Sequence, residues 1–326
     1  MEKAILITGG AGFIGSHLAE TLISQGKRVI VIDNLATGSL DNIASLLHHP
    51  NFTFIEDTIA HLDLLHEVLP HCEFVFHLAA AVGVELIVRD PISVIETNIE
   101  GTMTVLRAAA RHQTPVLITS TSEVYGKGVR VPFSEEDDRL LGPTTKSRWC
   151  YAESKAVDEF LGLAYQRKQG LPVTIVRLFN TVGPRQTGQY GMVVPRFVRQ
   201  ALQGKPMTVY GDGQQTRCFC NVQDVVRALI QLSRTPQAAG HIFNVGSTEE
   251  VSILSLAQTV REIAGSESEI VFIPYDEAYE SGFEDMARRV PDIRKIQAML
   301  GWTPRLSLRE TIVQMVAYEK EVIKSV

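Results

Sequence analysis

Short apolar runs alternate with amphipathic stretches through the first half of the chain. Ile5-Leu6-Ile7-Thr8 reads as a buried strand, and behind it Leu18, Ala19, Leu22 and Ile23 fall at helical spacing. The alternation recurs. Runs at 29–32, 52–55, 74–80, 116–123 and 171–178 read as strands, and 61–69, about 92–112 and the stretch from Tyr151 through Tyr165 read as helices. Strand–helix alternation of this kind predicts an α/β fold: a doubly wound parallel sheet covered on both faces. In such a sheet, ligands sit at the C-terminal ends of the strands.

The pattern changes after residue 180. A helix at 193–203, a strand at 207–210 and the turn Gly211-Asp212-Gly213 precede a helix entered at Asn221-Val222 and a strand at 241–245. Short helices and loops fill the remainder. This predicts a cofactor domain over 1–180, with 222–245 returning to it, and a smaller substrate domain from 181–221 and 246–326. Residues 127–148 form a long, irregular, polar segment, and loops of that length in compact domains are often functional.

Chemistry enters at the first turn. Gly9, Gly12 and Gly15 recur at every third position between the first strand and the first helix. Glycine lets the backbone approach a pyrophosphate, and a helix N-terminus offers free N–H groups and partial positive charge. The second strand ends in Asp33, whose carboxylate can accept from both ribose hydroxyls and would repel the extra phosphate of NADP. The expectation is a dinucleotide site for NAD. Asp57, after the third strand, is placed either to bond the adenine amino group or to sit as a solvated turn acid. Small residues at Ala79 and Ala80 would let a cofactor pass close over the backbone. Asn98 reads either as a helix surface residue or as a polar anchor beneath the active-site strand.

Composition changes little in this picture. The 326 residues are 45% hydrophobic and 21% charged, with a formal net charge of −6, which points away from nucleic acid and anionic membranes. No apolar run is long enough to span a bilayer and no signal peptide precedes the first strand, so the expected location is cytoplasmic. Cys72, Cys150, Cys218 and Cys220 show neither a disulfide framework nor zinc spacing and are read as free thiols; no metal site is expected. Cys218-Phe219-Cys220 alternates as a strand would.

Tyr151 and Lys155 stand at i and i+4, on one side of a helix. A nearby ammonium favours phenolate over phenol, which would make a base available near neutral pH. Taken singly, such a spacing also fits a core tyrosine beside a surface lysine.

Together these residues resemble the extended short-chain dehydrogenase/reductases: the nucleotide-sugar epimerases, dehydratases and decarboxylases. The resemblance covers essentially the whole chain. It is carried by the stretch from Thr8 to Gly15, Asp33, His77-Leu78-Ala79-Ala80, Asn98, the run from Ser120 to Gly126, Tyr151 with Lys155, Arg177-Leu178-Phe179-Asn180, Gly183-Pro184-Arg185 and Arg217. It implies a tightly bound NAD held by Gly9, Gly12, Phe13, Ile14, Gly15, Asp33, Asn34, Asp57, Leu78, Ala79, Ala80, Asn98, Tyr151 and Lys155. It implies that Thr121 and Tyr151 contact the sugar C4 hydroxyl, that Tyr151 removes its proton while hydride passes to NAD, and that Lys155 binds the nicotinamide ribose. Ser122, Asn180, Arg185, Arg217 and Arg289 would hold a UDP-sugar. A homodimer packed through the helices at about 92–112 and 151–168 is implied as well.

The members of this family share a 4-keto intermediate and differ in how they use it. Glu123, two residues after Thr121 on a run read as extended, would share its side of the strand and is included in the catalytic set with Thr121, Tyr151 and Lys155. Thr121-Ser122-Glu123 resembles decarboxylases and GDP-mannose dehydratases and lacks the Asp-Glu pair of dTDP-glucose dehydratases. Arg148-Trp149-Cys150-Tyr151 and Arg289-Val290-Pro291-Asp292-Ile293 resemble segments of UDP-glucuronate decarboxylases. The expectation favours 4-epimerisation of a UDP-hexose or UDP-hexuronate, UDP-glucuronate above all. UDP-glucuronate decarboxylation is the alternative, followed by 4,6-dehydration or a non-catalytic NAD-binding role.

Overall fold

The computed structural model describes residues 2–83, 87, 89–128, 130–188, 192–274, 277 and 288–325. Its centre is strand β1 (Ala4–Thr8), every residue of which is buried. A parallel strand covered on both faces has no polar side to show, which is why this run is apolar rather than alternating. Around it lie β2 (Val29–Asp33), β3 (Phe52–Glu56), β4 (Cys72–His77), β5 (Val116–Thr121), β6 (Val173–Leu178) and β11 (Ile242–Val245). Their order across the sheet is β3-β2-β1-β4-β5-β6-β11, with every neighbouring pair parallel. The order reverses at β1 and β4, where the crossovers change faces and leave a crevice. Register brings the C-terminal ends to one edge: Thr8 lies opposite His77, Asp33 opposite Glu56, and Thr121 opposite Leu178.

Helices α1 (Phe13–Ser24) and α6 (Val222–Ser233) cover one face, with Leu18, Leu22, Val225 and Leu229 packed over Val31, Phe76 and Phe243. On the other face lie α2 (Leu62–Val68), α3 (Pro91–His112) and α4 (Trp149–Gln169), whose Val105, Leu106 and Leu161 meet Leu6, Val75 and Ile118. Asp90 caps α3 by accepting from Ser93 N, and Pro91 occupies the first turn, where its missing N–H costs nothing. Gly170 ends α4 in the left-handed region.

A separate apolar cluster lies beyond the sheet. It joins α5 (Val193–Leu202), β8 (Met207–Tyr210), α7 (Ile253–Ala264) and α9 (Leu308–Ser325) through Phe197, Met207, Leu256, Ile312 and Met315. The run 218–220 is not one strand. β9 (Thr216–Cys218) pairs antiparallel with β12 (Glu250–Ser252), whereas β10 (Cys220–Asn221) pairs parallel with β7 (Thr181–Val182). The chain changes partner at Phe219, so the alternation spans two different sheets. All four cysteines are free, and burial pushes the Cys72 and Cys218 thiols up to about 12. Among the described residues there is no group of three potential metal ligands, and no helix is long and apolar enough to cross a membrane.

The segment 127–148 contains no helix or regular strand among its described residues, yet it is anchored. Phe133 is buried and stacks on Tyr125 with ring centroids 4.9 Å apart. Its N–H donates to Val290 O (2.8 Å), and Asp292 N donates back to Phe133 O (2.8 Å). Two residues on, Glu135 Oε1 accepts from Asn244 N (2.7 Å), tying the segment to β11.

Candidate active site

A cavity of about 800 Å³ lies along the C-terminal edge of the sheet. One end is built from backbone. Gly9, with φ +72°, turns the chain out of β1, and a Cβ there would lie 2.7 Å from Ala79 N; one at Gly15 would lie 2.2 Å from Gly9 O. No side chain caps α1, whose N-cap is Gly12, so its first amides face the cavity. This bare, tightly turned cradle fits a dinucleotide pyrophosphate: donors point outward and no side chain occupies the space. Phe13 and Ile14 line the cavity beside it.

Asp33 closes this end. Its Oδ2 accepts from Ala11 N (2.9 Å) and its Oδ1 from Leu35 N (2.8 Å). Burial pushes its carboxyl up, and the backbone donors pull it back down. The group is thus fixed in place with lone pairs remaining for ribose hydroxyls. Asn34, Asp57, Leu78, Ala79 and Ala80 line the same end. Asp57 pairs with His61 Nδ1 at 2.7 Å, which holds its carboxyl below the ordinary value.

Asn98 does not reach the cavity. It is buried on α3, where its Oδ1 accepts from Ala81 N (2.8 Å) and its Nδ2 donates to Ser154 Oγ (3.0 Å). Its place is that of an anchor beneath the site, which corrects its inclusion among cofactor-contacting groups. Arg185 is also displaced from its expected role. It lies outside the cavity lining and pairs with Glu20 on α1 at 2.7 Å, while neighbouring Pro184 O bonds His17 Nε2. The pair pins the chain after β7 to α1.

The other end of the cavity is built from long side chains. Glu123 is not on an extended strand. A 3₁₀ turn, Ser122–Tyr125, starts immediately after β5, with Thr121 Oγ1 accepting from Glu123 N (3.2 Å). The turn carries Ser122 and Glu123 into the cavity lining alongside Thr121. Arg289 Nη1 lies 2.6 Å from Glu123 Oε1, and Arg148 Nη2 lies 3.3 Å from Oε2. Burial pushes the Glu123 carboxyl up, but Arg289, Arg148 and Arg217 together leave it below the usual carboxylate range. It is therefore an ionised group holding arginines rather than a ready proton donor. Arg217 lines the cavity from β9 with Nη1 donating to Thr216 O (2.7 Å), and Asn180 lines it with Nδ2 donating to Cys218 O (2.9 Å).

Tyr151, Lys155 and Thr121 all line the cavity. The expected partnership with the lysine differs in one respect. Lys155 Nζ is held 2.7 Å from Asp158 Oδ2, and the pair is buried. Burial first, then the charges of Glu123 and Asp158, push the Tyr151 hydroxyl above the usual phenol range. Sequence pattern alone assigns no role to Arg148 or Asp158. Arg148 stands three residues before Tyr151, which is the one local signal for it; an acid three residues after a lysine resembles any helix-surface pair.

A family profile described as GDP-mannose 4,6 dehydratase matches residues 6–315, and the chain belongs to that family, within the extended short-chain dehydrogenase/reductases. Among curated proteins, the chain is similar to the UDP-N-acetyl-alpha-D-glucosaminuronate decarboxylase of Bacillus cytotoxicus, 45% identical over 99% of both chains. It is similar also to UDP-glucuronic acid decarboxylase 1 of Arabidopsis thaliana, 39% identical over 96% of this chain and 69% of that one. Among solved structures it resembles the UDP-glucuronic acid 4-epimerase from Bacillus cereus in complex with UDP-glucuronic acid and NAD, with a TM-score of 0.88, 30% identity and coverage of 98% and 99%. The expectation of 4-epimerisation is overturned: the relatives at 45% and 39% identity are both decarboxylases, which favours the alternative reading.

Proposed function

We propose that this protein decarboxylates a UDP-linked hexuronate, with NAD as its bound cofactor. The observation that carries the reading is the arginine cluster on Glu123, with Arg289 at 2.6 Å and Arg148 at 3.3 Å, at the cavity end away from the glycine turn. Cationic donors of this kind suit a substrate bearing both a diphosphate and a carboxylate. The full-length similarity to a UDP-N-acetylglucosaminuronate decarboxylase supports the same substrate class. In this reading residues 1–180 and 222–245 hold the cofactor, and the remainder holds the sugar nucleotide.

NAD, when bound, supplies oxidation and later reduction at the sugar C4. Tyr151 takes the C4 hydroxyl proton, with Thr121 at the same hydroxyl and Lys155 at the cofactor ribose. The C4 ketone makes the substrate a β-keto acid. The C5–C6 bond then breaks, CO₂ leaves, and the electron pair moves onto the C4 oxygen, where Tyr151 and Thr121 stabilise the enolate. C5 takes up one proton, so each turnover consumes one proton and releases one CO₂. Glu123, ionised among Arg289, Arg148 and Arg217, holds these cations in place around the substrate. Arg289, Arg148, Arg217, Ser122 and Asn180 hold the rest of the substrate.

Incubation with UDP-glucuronate and with UDP-N-acetylglucosaminuronate tests the reading. A UDP-pentose product and released CO₂ are expected from at least one. Recovery of only a C4 epimer of unchanged mass would sink it, as would no turnover of either. The exposed apolar residues Ile92 (68%) and Phe160 (63%) on α3 and α4 support a homodimer through these helices.

A further inference from the structure

Asn244 stands on the edge strand β11 between the buried Phe243 and Val245, and it is itself fully buried and outside the cavity lining. Both polar atoms of its side chain are engaged. Nδ2 donates to Phe133 O (2.9 Å) and to Asp292 O (3.2 Å), and Oδ1 accepts from the Tyr125 hydroxyl (2.7 Å). Its backbone N donates to Glu135 Oε1 (2.7 Å). The two carbonyls can only accept, so the amide fits one way round. Opposite Asn244 on β6 stands Arg177, whose guanidinium lies 4.7 Å from the Tyr125 ring centroid. Arg177 Nη1 donates to Glu135 O (3.3 Å), and its charge is answered by Glu159 at 2.7 Å. Tyr125, Glu135, Arg177 and Asn244 thus form one buried polar group behind the substrate end of the cavity.

The groups that meet at the Asn244 side chain come from three separate segments, and two of these reach the cavity a few residues away. Tyr125 closes the 3₁₀ turn that carries Glu123, two residues before it. Asp292 follows Arg289 by three residues, and Phe133, from the third segment, bonds Val290 and Asp292. Glu123 and Arg289 in turn form the 2.6 Å pair in the cavity wall. Sheet pairing asks nothing of this side chain, because β11 joins β6 through its backbone. A buried amide is costly unless its donors and acceptor are all met. We infer that Asn244 is a positioning residue: it holds the turn of Glu123 against the segment of Arg289, and so sets where the Arg289 guanidinium stands for an anionic substrate. A leucine offers none of the three side-chain bonds, and an ionised aspartate keeps the acceptor for Tyr125 but loses both donors. The inference rests on the proposed reading in taking a UDP-hexuronate as the ligand of Arg289, but its test needs no turnover.

The test is calorimetric binding of UDP-glucuronate and of UDP-N-acetylglucosaminuronate to full-length protein as purified, with bound NAD assayed alongside. Tyr151→Phe is the common background, so that ligand is bound and not turned over. Asn244→Asp is expected to weaken the tighter-binding hexuronate by about tenfold or more, with NAD content unchanged. The deciding comparison is with Arg289→Met: once Arg289 is gone, Asn244→Asp is expected to cost no more than about twofold. A loss below about twofold with Arg289 present, a loss that multiplies in full with that of Arg289→Met, or NAD lost in parallel overturns the inference. Damage to the fold at large would not spare the Arg289→Met protein. Tyr125→Phe removes one hydroxyl and keeps the ring that stacks on Phe133, and it covers the case in which Asn244→Asp does not fold. It is expected to weaken binding by about threefold, again only with Arg289 present, and unchanged binding overturns the inference. Binding that responds as expected, in a protein whose Tyr151 form decarboxylates neither hexuronate, would remove the decarboxylase reading and leave the inference standing. Decarboxylation with binding untouched by Asn244→Asp would remove the inference alone. A protein that binds neither hexuronate overturns both.

Discussion

The two ends of the cavity are made of different material. At the cofactor end the chain presents backbone: glycine turns, the uncapped start of α1, and a carboxylate held by two peptide N–H groups. At the substrate end it presents long charged side chains, brought from the turn after β5, the residue before α4, β9 and the stretch before α8 (Arg294–Leu300). The first is rigid because a few neighbouring residues over-determine it. In the second, Glu123 pairs with both Arg289 and Arg148. Damage to the first should therefore appear as lost cofactor, and damage to the second as lost turnover with cofactor retained.

The largest effect is expected where the two ends meet. Tyr151→Phe removes the proton-transfer group and should lower kcat by about 10³-fold, within the range of general acid–base catalysis, with NAD content unchanged. Turnover within about tenfold of wild type would remove Tyr151 from the mechanism. Arg289→Met should lower kcat/KM by about 100-fold, the cost of truncating one partner of a buried charge pair, again with NAD retained. Coupled loss of NAD would show that the two ends are not separable. Gly15→Val tests the converse. Its side chain would meet the Gly9 carbonyl and Gly10 Cα, so bound NAD in purified protein should weaken by at least about tenfold. An NAD complement equal to wild type would break the assignment of the glycine turn.

Two smaller effects sharpen the contrast. His77, beside the cofactor end, is held neutral by burial, its pKa pushed down to about 3 from 6.5. An unfolded chain binds this proton below pH 6.5 and the native protein does not, so its contribution is intact above pH 6.5 and is lost as pH falls toward 3. Denaturant titration should show wild type losing about 2 kcal/mol more than His77→Gln between about pH 7 and about pH 5. Equal losses would mean that His77 protonates freely in the native protein. Phe160→Glu, on the exposed face of α4, should shift the protein toward monomer by light scattering with little change in per-site NAD content. A monomeric wild type would dispose of the dimer proposal.

The same contrast explains what was legible in the sequence. Gly9, Gly12, Gly15 and Asp33 form one strand–turn–helix–strand unit, so local spacing places them all at one edge. The substrate end has no such spacing. Arg217 lines the cavity from β9, which pairs with β12 outside the seven-stranded sheet, a pairing that no local spacing announces. Glu123 reaches the cavity on a tight turn and not on the straight segment its spacing suggested. Arg185 looked like an anion-binding group by residue type, but it pairs with Glu20 and is not among the residues lining the cavity. The strands and helices of the sheet could be read because burial on one face imposes a period; which distant side chains meet is set by register, and register is not periodic.

The anchoring of the segment 127–148 bears on how this site can change. Phe133 exchanges hydrogen bonds with Val290 and Asp292 on either side of its peptide, directly beside Arg289. The segment leading to Arg148 and the segment carrying Arg289 are thus stitched together at one residue, although they lie far apart along the chain. The two guanidiniums share part of their mechanical support. Substitutions that loosen the stitch at Phe133 should disturb both arginines at once, and their effects on turnover should overlap with those of Arg148→Met and Arg289→Met rather than multiply with them.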